Sequence, residues 1–118
     1  MSFHFCSHPW EVRDVQDGTL VTLTNRDLDK DTVPVLVEDL FELVQESGQP
    51  NLYLDLSEIR LIASLVLGKM VALDLKLRSH GGRLILVHVD SFVYRMFQAT
   101  RLTDVLDVRK AETAEAIG

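Results

Sequence analysis

The stretch Asn51–Leu77, NLYLDLSEIRLIASLVLGKMVALDLKL, limits what this chain can fold into more than any other. Leu52, Leu54 and Leu56 alternate with Tyr53 and Asp55, the period-two pattern of a strand. The link Ser57–Ala63 follows, and an apolar run then reads as a helix from near Ser64 to about Ser79. A strand feeding a helix is half of a βαβ unit, and in such folds ligands and partners gather where strands end and helices begin. Ser64 stands at that junction. Its small hydroxyl follows Ala63 and precedes the apolar run, which is the place of an N-cap.

The flanking chain supplies the rest of an α/β domain. Trp10–Val15 and Thr19–Leu23 alternate around Gln16-Asp17-Gly18, a hairpin signal. Arg26–Thr32 is a polar loop in which Leu28 plugs the core and Asp31 or Thr32 caps the next helix. Leu36, Leu40, Phe41 and Val44 form the stripe of an amphipathic helix over Val33–Gln45, with Pro34 in its first turn and Gly48 and Pro50 past its end.

The central helix carries more apolar residues than one packing face needs. Leu65 and Leu75 either cover other elements or form an exposed patch, and Gly68 would allow close approach to the sheet or a neighbouring helix. Its polar residues are Lys69, Asp74, Lys76 and Arg78. His80-Gly81-Gly82 ends this helix, and Arg83–Val87 is a short apolar strand of the kind covered on both faces. Asp90 or Ser91 caps a helix to about Thr100 that places Phe92, Val93, Met96 and Phe97 on one face. Val105–Val108 reads as the last strand and Lys110–Ile117 as a short terminal helix.

A chain of 118 residues is one domain, here an arm over 1–9 and a domain over 10–118. A net charge of −6 argues against nucleic acid or an anionic membrane as partner. No apolar run reaches the roughly 18 residues of a membrane span, and Met1–Trp10 lacks the marks of a signal peptide. The single Cys6 excludes an internal disulfide and fits the cytoplasm. His4, Cys6 and His8 match no zinc spacing, so no metal is expected. No phosphate-cradling glycine loop follows a strand and no Ser–His–Asp order is defensible, so the chain does not read as an enzyme and calls for no cofactor. His80 and His88 stand alone as general bases, and His88, single at a loop, reads as structural.

The central stretch resembles the signature of STAS domains, most closely that of bacterial anti-sigma-factor antagonists, in which a strand ending L-D-L-S leads to D-S-S-G-L-G at the head of a helix. Leu54-Asp55-Leu56-Ser57 and then Ala63-Ser64-Leu65-Val66-Leu67-Gly68 stand here. The strand, the first serine, Leu67 and Gly68 match, while Ala63, Leu65 and Val66 replace the acid, the second serine and the first glycine. Asp27, Leu28, Asp29 and Thr32 match in type the family's G-E-L-D-x-x-T loop, with Arg26 for the glycine. Val93, Arg95, Phe97, Thr100 and Leu102 fit its V-x-R-x-L-x-x-T/S-G-L, with Arg101 for the glycine.

The resemblance implies a single STAS-like α/β domain. Its sheet would be mixed and mostly parallel, with an N-terminal hairpin and about four helices. It implies that Ser64 is phosphorylated by an anti-sigma-factor serine kinase, and that the unphosphorylated form binds that partner. The implied surface takes in Asp27, Asp29, Thr32, Ser64, Leu65, Val66, Gly68 and Lys69. Constitutive partner binding through the helix that Ser64 opens, or a nucleotide-sensing role, are the alternatives. A homodimer through the apolar surface stays open.

Overall fold

A computed structural model describes residues 10–23, 27–28, 33–48 and 50–110. Strands β1 (Trp10–Val15) and β2 (Gly18–Leu23) form the expected antiparallel hairpin, with Val15 opposite Gly18. After the short β3 (Asp27–Leu28), helix α1 (Val33–Ser47) leads to β4 (Asn51–Asp55). The short β5 (Leu61–Ile62) precedes α2 (Ser64–Arg78), and then come β6 (Leu84–Val89) and α3 (Ser91–Ala99). A 3-10 turn at Leu102–Asp104 leads to β7 (Asp107–Lys110).

The main sheet has five strands in the order β1-β2-β4-β6-β7, parallel at every pairing except the hairpin. The described residues contain three α-helices, against the expected four or so. The terminal helix expected over Lys110–Ile117 lies outside them, save Lys110, which ends β7 instead. The last strand also begins two residues later than its apolar pattern suggests. Val105 and Leu106 close the 3-10 turn first, their N–H groups donating to Leu102 O, and Arg78 holds the Val105 carbonyl.

Alternation in the strands sets the core. Val21 and Leu23, Leu52 and Leu54, and Leu84 and Leu86 share one sheet face and are fully buried. Leu40 and Val44 of α1, Val66, Met70, Leu73 and Leu77 of α2, and Val93 and Phe97 of α3 pack in the same cluster. In β6 burial reaches both faces at Ile85 and then opens, so that His88 is exposed.

Helix α2 is one-sided, which its apolar composition hides. Ser64, Leu65, Gly68, Lys69, Ala72, Leu75 and Lys76 are exposed. Leu65 and Leu75, at 53% and 59% exposure, therefore cover none of the described elements. A side chain added at Gly68 would meet nothing, so this glycine does not serve the close approach expected of it. Asp74, which reads as a polar-face residue, is wholly buried. Its Oδ1 accepts the Leu84 N–H at 2.9 Å and so ties α2 to the head of β6. Arg78 Nε stands 2.9 Å from Oδ2 but outside hydrogen-bond geometry, so that contact is a charge pairing.

The helix end follows its glycines. Gly81 takes a φ of +87°, the N–H of Gly82 donates to Leu77 O and that of Gly81 to Arg78 O, a Schellman closure. Gly82 has a separate reason to be glycine, since any Cβ there would collide with the Pro50 carbonyl. In α3, Asp90 is the cap and accepts the Phe92 N–H. Val93 and Phe97 face inward as expected, but Phe92 points to solvent at 59% exposure. One turn of helix puts Phe92 beside Arg95 on the outer side instead.

Candidate docking surface

The parallel strands β4 and β6 end together, and the segments that follow them build one surface. Asp55, the last residue of β4, uses both carboxylate oxygens. Its Oδ1 accepts the Ser57 N–H at 2.9 Å, and its Oδ2 lies 3.1 Å from His88 Nδ1 near the end of β6. The link beyond is anchored. Leu56, Ile59 and Ile62 are buried, Ile59 N–H donates to Leu56 O, and Arg60 Nη1 donates to the carbonyls of Ser57 and Ile59. Leu61 is the apolar residue of this link that turns outward, at 51% exposure.

A second, two-stranded sheet completes the surface. Asp27 pairs with Leu61 and Leu28 with Ile62, both parallel. This pairing brings the Asp27 loop against the link that delivers Ser64, a neighbourhood that residues 34 positions apart in sequence give no sign of. Asp29 and Thr32, also expected here, lie outside the described residues.

Ser64 is the first residue of α2 and not its cap. The cap position belongs to Ala63, whose backbone is extended (φ −69°, ψ 150°) and whose carbonyl accepts the Val66 N–H. Alanine has no oxygen to offer the first turn, so the expected serine cap is absent. The Ser64 side chain is exposed and has no hydrogen-bond partner among the described residues. Leu65, Gly68 and Lys69 lie exposed beyond it, as a docking surface needs. Val66 does not belong to that surface: it is fully buried against the sheet, because it sits on the opposite side of the helix from Leu65 and Gly68.

Three residues at this end were not singled out for a site in the sequence. Leu61 sits in a link that has no period to read, and its outward turn shows only through the two-stranded sheet. Asp55 carries the outward phase of β4, which places its carboxylate beyond the core without naming its partner. His88 becomes that partner because its backbone adopts φ +55° at an irregularity in the β6–β7 pairing between Leu86 and Val89.

Among the described residues no group of three or more His, Cys, Asp or Glu is placed to hold a metal, and no helix is long and apolar enough to cross a membrane. His4, Cys6 and His8 lie outside those residues. A shallow cavity of about 230 Å³ lined by Val44, Gln45, Gly48, Pro50 and His80 lies at the other end of α2. That is about 20 Å from Ser64 along the helix axis.

Comparison with known proteins gives the surface its context. The family model described as the STAS domain matches residues 11–116. A proposed anti-sigma factor antagonist from Thermotoga maritima superposes with a TM-score of 0.75 at 25% identity, covering 97% of this chain and 96% of that one. An anti-sigma factor antagonist from Mycobacterium paratuberculosis gives 0.72 at 23% identity, covering 92% and 89%. The Bacillus cell fate determinant SpoIIAA in its phosphorylated form gives 0.63 at 17% identity, covering 92% and 96%. No curated protein matches the chain.

Proposed function

The chain belongs to the STAS domain family, and on that premise we propose that it is a regulatory protein-binding module whose docking to an anti-sigma factor of the serine-kinase type is controlled by phosphorylation of Ser64. The observation that carries this reading is Ser64 itself: exposed, at the head of α2, with no hydrogen bond to give up among the described residues, followed by exposed Leu65 and preceded in the link by exposed Leu61. The likeness to a proposed anti-sigma factor antagonist along nearly the whole chain supports the partner class.

The physical logic is direct. The exposed leucines offer apolar area that a partner removes from water, at about 25 cal/mol per Å². A phosphate on Ser64 adds about −1.5 to −2 charges. The uncapped N–H groups and the dipole at the head of α2 favour that charge in the free protein. A partner lying over Leu61 and Leu65 would have to desolvate it, so modification weakens docking. In this reading the module has no catalytic role and no cofactor, and it works in the cytoplasm.

A second reading has an observation in its favour. Ala63 and Leu65 stand where the family pattern has an acid and a second serine, and Leu65 is an exposed apolar contact in that place. This suits a module that binds its partner constitutively. Peptide and intact-protein mass spectrometry of the chain isolated from its host separates the two. Phosphate on Ser64 is the expected result, with Ser64→Asp weakening partner capture and Ser64→Ala preserving it. An unmodified Ser64 under every growth and stress condition leaves the constitutive module. A nucleotide titration that raised thermal stability would favour nucleotide sensing instead.

A further inference from the structure

We propose that His88 is a phosphoryl-accepting nucleophile, with its Nε2 presented to solvent by the Asp55 carboxylate on Nδ1. The geometry has two tiers. Asp55 is the orienting group: its side chain is only 14% exposed, and Oδ1 is fixed by the Ser57 N–H. His88 is the oriented group: Oδ2 lies 3.1 Å from Nδ1, while the ring is 52% exposed and Nε2 has no partner among the described residues. A carboxylate on Nδ1 selects the tautomer with its proton on that nitrogen, which leaves the lone pair on Nε2. The oriented imidazole is here itself the nucleophile, a role histidine takes in covalent catalysis.

The backbone at His88 is a second observation. A φ of +55° is uncommon for a residue other than glycine, although Asn, Asp and His adopt it more readily than most, and such conformations cluster at functional sites. At an irregularity of the β6–β7 ladder it turns His88 away from the sheet and onto Asp55.

The chemistry closes without a further reagent. The Nε2 lone pair attacks the phosphorus of a P–N phosphoryl donor, such as a phosphoramidate or a phosphohistidine on another protein. The P–N bond of the donor breaks and its nitrogen leaves with the electron pair. The ring keeps its Nδ1 proton, and the positive charge that develops on the phosphorylated imidazole faces Asp55. The new phosphate adds negative charge at a ring that the free form presents uncharged at Nε2. Nothing in this step depends on the role given to Ser64.

Potassium phosphoramidate is the probe, applied to the full chain. His80 is the internal reference, because it too is exposed but its Nδ1 meets a neutral carbonyl, Lys76 O at 3.0 Å, and the Ser79 hydroxyl at 3.1 Å. Peptide mapping and phosphorus NMR should find an acid-labile phosphate on His88 Nε2, formed roughly tenfold faster than on His80. Asp55→Asn should bring the rate at His88 down to that of His80, and His88→Asn, which tolerates the left-handed backbone, should abolish the signal. Equal rates at His88 and His80, or attachment through Nδ1, would overturn the proposal. Both comparisons are made within the unmutated chain and hold even if the Asp55 variant fails to fold.

Discussion

Arg101 shows how a single residue can record what its position asks for. Its φ is +63°, just past the Thr100 C-cap of α3, where the family pattern has a glycine. A left-handed residue with a Cβ costs on the order of 1–2 kcal/mol, part of which glycine would give back through its freer unfolded chain. Arg101→Gly should therefore raise stability by about 0.5–1 kcal/mol, seen as a higher urea midpoint at unchanged slope.

Tyr53 gives a pH test of the same kind. Its hydroxyl donates to Asp17 Oδ1 at 2.9 Å, and that hydrogen bond, more than burial, holds its pKa above the usual 10. The folded pKa is raised, so the hydrogen bond contributes its full stability below pH about 10 and loses it as the pH rises through the higher folded value. The ultraviolet absorbance of tyrosinate should show Tyr53 ionising later than an ordinary tyrosine, and Asp17→Asn should bring it back toward 10. An unchanged titration in that variant would assign the shift to burial instead.

At the scale of the element, α2 is where pattern and packing part company. Leu65 and Leu75 read either as cover for other elements or as an exposed patch, and Gly68 as a place of close approach; all three face solvent. A glycine inside an exposed helix face costs roughly 1 kcal/mol against alanine, and nothing among the described residues requires it at Gly68. Gly68→Ala should accordingly stabilise the isolated domain by up to about 1 kcal/mol in chemical denaturation. If the docking surface includes Gly68, the same change should weaken partner capture. A gain in stability with no loss of binding would remove Gly68 from that surface. Helix α3 repeats the lesson more mildly: Val93 and Phe97 pack, while Phe92, one residue off their stripe, does not.

For the whole molecule, one core cluster joins the sheet to all three helices, so the described domain should unfold as a unit. Leu54→Ala, at the middle of β4 with the side chain fully buried, should cost about 2–5 kcal/mol and lower the thermal midpoint without splitting the transition. Two separated transitions in that variant would contradict a single core. The sequence by itself determined the α/β class, the hairpin, the placing of β4 and α2 and the turn at Gly81-Gly82. Each of these rests on a period or a backbone requirement that neighbouring residues carry among themselves. Only the tertiary structure decided that Ala63 and not Ser64 sits at the cap, that Val66 is interior while Leu65 is exposed, that Leu61 lies beside Asp27, and that Asp55 meets His88. Those outcomes depend on which face of an element the sheet covers and on where strands distant in sequence end together, and no local pattern carries either fact.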